Sequence, residues 1–144
     1  MSVAYIDIRF FAHATEDPDK VVEAARNILP DAYVDDIAFE LGNLRGHYGN
    51  LIVLYKTRIK KKEIISAVTN NLFSRLGESS KKSLHKEIKL HVKKGSFYLR
   101  LDKQAALLGE LKLCTADPIC LRLRFKNVKS RHIVETYEEL GIIA

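Results

Sequence analysis

The chain has 144 residues, 24 Lys plus Arg against 18 Asp plus Glu, a net charge of +6 and a pI near 9.3. Such a length suits one domain that buries about two thirds of the surface its unfolded chain exposes, so no disulfide or metal staple is required. The two cysteines, Cys114 and Cys120, have no neighbour at zinc-ligand spacing and read as buried thiols in a reducing compartment.

Val3 to Phe11 alternates, with Ile6, Ile8 and Phe10 on one face and Asp7 and Arg9 on the other, as a strand does. Asp17-Pro18-Asp19 then supplies a helix cap, a proline at the first helical position and an acid in the first turn. Val21, Val22, Ala25, Ile28 and Leu29 follow at helical spacing until Pro30. Strands are expected over 36–41 and 50–59, joined by a turn and therefore antiparallel. Residues 62–76 carry Ile65, Val68, Leu72 and Leu76 on one side of a second helix that stops at Gly77. A short helix over 79–86 precedes a hairpin of 88–92 and 97–101 about Lys94-Gly95. A strand pair, 111–114 and 119–125, surrounds Asp117-Pro118, and a helix over 130–140 closes the chain. The coarse order is βαββα(α)ββββα, an α+β fold of one domain, 1–144, whose mostly antiparallel sheet carries its helices on one face.

Charge is distributed unevenly. Residues 1–44 hold 3 basic and 9 acidic side chains, 45–103 hold 15 basic and 4 acidic, and 104–144 hold 6 and 5. The basic middle predicts a polyanionic partner, with Lys56, Lys60, Lys61, Lys62, Lys81, Lys82, Lys86, Lys89, Lys93 and Lys94 attracting phosphates. Met1 to Asp7 lacks the basic start of a signal peptide, and no apolar run approaches the ~18 residues that span a bilayer, so a soluble cytoplasmic protein without membrane partners is expected.

Two segments suit nucleic-acid chemistry. In Arg45-Gly46-His47-Tyr48-Gly49-Asn50, glycines that allow a tight turn bracket groups able to stack on a base or bind phosphate. In 97–104, alternation places Tyr98, Arg100 and Asp102 on one face, followed by Lys103 and Gln104. An aromatic interleaved with cations on an exposed strand is a common way to hold single-stranded nucleic acid, although Arg100 and Asp102 equally suit a surface ion pair.

Enzymatic motifs are missing. Five scattered histidines form no HExxH, no CxxC is present, and the glycines lead into a strand rather than a helix, which excludes a P-loop or dinucleotide fingerprint. No metal or cofactor is implied and no catalytic residue is assigned. The alternative enzyme is a small metal-independent ribonuclease using His47 or His13 as base.

Four blocks carry a family resemblance: Phe11 to Asp17, Arg45 to Asn50, Tyr98 to Gln104 with Gly109, and Ala116 to Ile119. In that order they resemble the archaeal RNA-binding protein family described as a predicted exosome subunit. The resemblance implies a fold similar to a large-subunit ribosomal protein. It also implies a non-catalytic RNA-binding role in RNA processing or degradation, beside exosome or ribosome-associated proteins; an adaptor that holds a protein partner is the other reading. Arg45, His47, Tyr48, Asn50, Lys60, Lys61, Lys62, Tyr98, Arg100, Lys103 and Gln104 are the expected RNA contacts. The resemblance adds His13, Thr15 and Glu16, while Gly46, Gly49 and Asp117 read as turn residues.

Overall fold

A computed structural model describes residues 3–126 of the chain, and the helix expected over 130–140 lies outside them. Alternating apolar residues build the sheet. Strand β1, Val3–His13, buries Val3, Ile6, Ile8, Phe10 and Ala12. Helix α1, Pro18–Asn27, starts where the Asp17 carboxylate accepts the Asp19 N–H at 3.0 Å. A single 3-10 turn, Val34–Asp36, leads to β2, Glu40–Arg45, which forms a hairpin with β3, Leu51–Ile59. Helices α2, Lys62–Arg75, α3, Glu78–Lys86, and the one-turn α4, Ile88–His91, precede a hairpin of β4, Val92–Lys93, and β5, Ser96–Leu101. Between its strands Lys94 and Gly95 both take positive φ, 49° and 79°, as a two-residue hairpin loop requires. Helix α5, Lys103–Leu107, and β6, Ile119–Phe125, follow.

The six strands form one antiparallel sheet in the order β2-β3-β1-β6-β5-β4. One face is covered: Ile6, Ile8 and Phe10 of β1 pack with Leu99, Leu121 and Leu123 and with Ile65, Val68 and Leu72 of α2 in one continuous core. Each such side chain stabilises the fold by about 1.5–3 kcal/mol on full burial. Phe10 stacks on Tyr55 at 5.1 Å and meets Phe39 edge-on. The helix ends are cross-tied, with Asn27 Nδ2 donating to the Ala106 and Leu107 carbonyls and Arg75 donating to those of Asn27 and Gly109. Among the described residues, no helix is long and apolar enough to cross a membrane.

The α+β class, the antiparallel sheet and the covering of one face by helices agree with the sequence reading. Local boundaries differ. Strand β2 starts at Glu40 rather than near 36, because Val34–Asp36 closes a 3-10 turn in which Ile37 N–H bonds the Val34 carbonyl. Residues 88–91 wind into a helical turn, leaving only Val92 and Lys93 in strand. The strand expected over 111–114 is reduced to a bridge between Leu101 and Leu113. The helix inserted before it, α5, begins where Asp102 accepts the Ala105 N–H at 2.8 Å.

Candidate nucleic-acid interface

The opposite face of the sheet is polar, and its composition follows from register. Residues paired across neighbouring strands project to the same side. Arg9 faces Lys56 on β3 and Cys120 on β6, and Cys120 faces Arg100 on β5. In the next row Asp7 lies between Arg58 and Arg122, with Tyr98 beyond; in the third, Tyr5 faces Arg124. Four strands that alternate cations with apolar residues therefore place Arg9, Lys56, Arg58, Arg100, Arg122 and Arg124 on one surface. Among the described residues no helix covers it, and Arg9, Lys56 and Arg58 are exposed.

Aromatic rings support these cations. The Arg58 guanidinium lies 4.0 Å from the Tyr5 ring centre, Arg100 5.4 Å from Tyr98 and Arg9 5.7 Å from Phe11. Such contacts contribute about 0.5–1 kcal/mol each at exposed sites. Arg58 also grips Asp7 bidentately, at 2.7 and 3.0 Å, and that hydrogen bond raises its pKa above the ordinary value. Burial pushes the Cys120 thiol up, so it sits neutral between Arg9 and Arg100. A groove of about 630 Å3 runs over this surface past Asp7, Arg9, Glu40, Lys56, Arg58 and Lys60. A second groove shares Arg58 and Lys60 and reaches Lys61, so two of the three expected lysines adjoin the sheet face, and exposed Lys62 opens α2.

Toward the β2–β3 turn the same face becomes apolar. Leu44 and His13 flank Ile52, and Gly42 and Phe11 flank Leu54. Beyond them lies the Arg45–Asn50 turn, closed by Gly46 N–H to the Asn50 carbonyl at 2.7 Å and Gly49 N–H to the Gly46 carbonyl at 2.9 Å. Gly49 has φ +80°, which requires glycine there, while a Cβ on Gly46 would meet only the exposed Asn50 side chain, 2.6 Å from its Oδ1, which can swing aside. Tyr48 is 92% exposed and its ring meets His47 edge-on at 5.0 Å. Arg45, in contrast, donates to the Gly49 carbonyl and braces the turn.

Lys103 is placed quite differently from its expected role at a phosphate. Its ammonium, with the side chain 10% exposed, donates to the Phe11 carbonyl at 2.5 Å, to Glu16 at 3.2 Å and to Asp117 at 2.7 Å. His13 Nε2 lies 3.1 Å from the other Asp117 oxygen, and the His13 backbone N–H donates to Glu16. Burial alone would raise the Asp117 carboxyl, but hydrogen bonds from Lys103 and His13 outweigh it and hold that pKa below the ordinary value. His13, Glu16 and Asp117 each offer a ligand atom to a metal ion, yet the Lys103 ammonium already supplies positive charge between the two carboxylates. Asp117, at φ +47°, is both the turn residue that was expected and an electrostatic partner. Thr15 and Gln104 are exposed beside this cluster.

Sequence reasoning brought Tyr98, Arg100, Lys56, Lys60 and Lys61 to this surface but did not count Tyr5, Arg9, Arg58, Arg122 and Arg124 among the contacts. For the arginines of β3 and β6 the signal was present, as cations at positions 56, 58 and 60 and at 122 and 124.

A family model described as RNA binding matches residues 5–126, most of the chain. The chain belongs to this RNA-binding family. RNA-binding protein PAB1135 of Pyrococcus abyssi is 37% identical over 140 residues, covering 93% of this chain and 90% of that protein. The uncharacterized protein MJ0213 of Methanocaldococcus jannaschii is 31% identical, over 79% of this chain and 78% of its own length. Among solved structures, the chain is similar to protein AF2318 from Archaeglobus fulgidus, a DUF54 protein, with TM-score 0.83 and 27% identity over 96% of this chain and 99% of that one. Mth689, a DUF54 protein from Methanothermobacter thermautotrophicus, shares the fold at TM-score 0.75 and 24% identity, with both chains fully covered.

Proposed function

We propose that the protein is a non-catalytic RNA-binding protein that takes RNA across the open face of its sheet. The observation that carries this reading is the convergence of six cations from four strands, backed by aromatic rings, on a surface left uncovered among the described residues. Arg9, Lys56, Arg100, Arg122 and Arg124 neutralise phosphates, Lys60, Lys61 and Lys62 extend the track toward α2, and Tyr98 stacks on a base. His47 and Tyr48 at the turn form an outlying contact, with Asn50 and Gln104 as hydrogen-bonding groups at the margin. Lys103 acts in this reading as an anchor of the scaffold, together with His13 and Glu16.

Fluorescence titration of a short labelled RNA at several salt concentrations tests the reading. Arg9→Ala and Arg100→Ala should each weaken binding and lower the salt slope by about one counterion. Unchanged affinity and slope in both would refute the assignment of the face. RNA recovered intact is expected; cleavage abolished by His47→Ala or His13→Ala would favour the ribonuclease alternative. The finer reading, a role in RNA processing or degradation beside the exosome or ribosome, rests on the sequence resemblance. Pull-down before and after ribonuclease treatment tests it, since partners retained after treatment touch the protein itself and would favour the adaptor.

A further inference from the structure

Arg58 is arranged unlike the other cations of the open face. One plane of its guanidinium is covered by the Tyr5 ring at 4.0 Å, and its edge is held by both oxygens of Asp7 at 2.7 and 3.0 Å. Nevertheless 48% of the side chain remains exposed, and it lines the groove of about 630 Å3. Its orientation is therefore fixed while its charge is largely compensated. A carboxylate in the middle of a phosphate-binding surface opposes phosphates, so Asp7 makes Arg58 a poor phosphate grip. It also holds the guanidinium in place over the Tyr5 ring. What remains available is a flat, polarisable surface, and the group that recognises such a surface in RNA is the face of an unpaired nucleobase.

The surroundings fit that ligand. Arg9 and Lys56 sit one side-chain row away, about 7 Å by strand rise, where a phosphate beside the stacked base is within reach. Tyr5 itself is covered by Arg58 on one side, with Arg122 5.9 Å from its ring centre, which leaves the arginine rather than the tyrosine to meet the ligand. A base inside a duplex has both faces stacked already and offers no plane to Arg58. We infer that Arg58, laid on Tyr5 and pinned by Asp7, is a pre-set stacking platform for an unpaired base, which makes single-stranded RNA the ligand of the groove. This inference rests on the proposed RNA-binding role of the open face.

The test uses the full chain and a short single-stranded RNA carrying one 2-aminopurine, whose fluorescence falls when the base stacks. Wild type should bind it with strong quenching and should bind a duplex of the same length more weakly. Arg58→Lys keeps the charge and loses the plane; it should lose most of the quenching and about tenfold in affinity, the scale of one stacked base, with an unchanged salt slope. Arg58→Gln, flat but uncharged, should retain more quenching than Arg58→Lys, and unfolding curves should confirm that both variants are folded. Wild-type behaviour of Arg58→Lys, or better quenching by Lys than by Gln, would overturn the platform while leaving RNA binding by the face intact. Preference for the duplex would also overturn it. Failure of wild type to bind either RNA would instead overturn the proposed role of the face, and the platform with it.

Discussion

Lys103 and Arg100 lie three residues apart and read alike in the sequence, yet their cationic groups meet opposite circumstances. Lys103 points into the junction of β1, α1 and α5, where a backbone carbonyl and two carboxylates surround it at 10% exposure. Arg100 stays on the half-open sheet face, resting on Tyr98, across from the neutral Cys120. The difference lies in what the fold provides as counter-charge. A cation whose partners come from its own chain holds the scaffold together, whereas one whose neighbours are aromatic, neutral or also cationic keeps its charge for an external anion.

The largest expected effect breaks the first half of this contrast. Lys103→Ala leaves Glu16 and Asp117 facing each other without their ammonium and should destabilise the fold by about 2 kcal/mol, less than for a fully buried pair because both carboxylates retain some solvent. Urea unfolding measures this, and the folded fraction should keep the wild-type salt slope for RNA. Tyr98→Ala sharpens the second half: it should weaken RNA binding roughly fivefold to tenfold, toward the low end of one stacked base, with folding stability changed by no more than about 1 kcal/mol. Isothermal titration beside a melting curve separates the two quantities.

A smaller effect concerns acid. Because the folded pKa of Asp117 lies below its ordinary 3.8, the carboxylate stabilises the fold fully above that value, and its contribution disappears as pH falls below 3.8 through the folded value. Asp117→Asn should flatten this part of the acid-unfolding profile followed by circular dichroism, while stability near neutral pH falls as the ion pair to Lys103 is lost. The smallest effect belongs to the turn tip. Tyr48→Ala, at a side chain 92% exposed and separated from the cation rows by Phe11, Ile52 and Leu54, should change affinity by about twofold or less and stability by less than about 0.5 kcal/mol. A tenfold loss there would move the centre of binding from the sheet to the hairpin.

The parts of this arrangement governed by local rules were legible in the sequence. Alternation identified β1 and β5, Asp17-Pro18 gave the start of α1, Gly77 followed the end of α2, and Lys94-Gly95 made the hairpin loop. The placement of cations was only half legible. Alternation in 120–124 divides Arg122 and Arg124 from Leu121 and Leu123, but a strand alone does not reveal that its neighbours carry Arg9, Lys56 and Arg58 at the matching register. That depends on the strand order β3-β1-β6-β5, set by long-range pairing. Lys103 failed to read correctly for a related reason: its partners Phe11, Glu16 and Asp117 come from separate stretches of chain. The α5 turn that orients it was hidden by the apolar alternation before Asp102, whose role as helix cap emerges only when the strand ends there.

Backbone amide chemical shifts, followed as single-stranded RNA is added to the uniformly labelled protein, test the central claim most directly. Shifts concentrated on residues 5–9, 56–60, 98–100 and 120–124, with residues of α1, α2 and the Lys103 junction little changed, are the predicted result. Shifts confined to the 45–50 turn or to the helical side, with those strands unmoved, would contradict it.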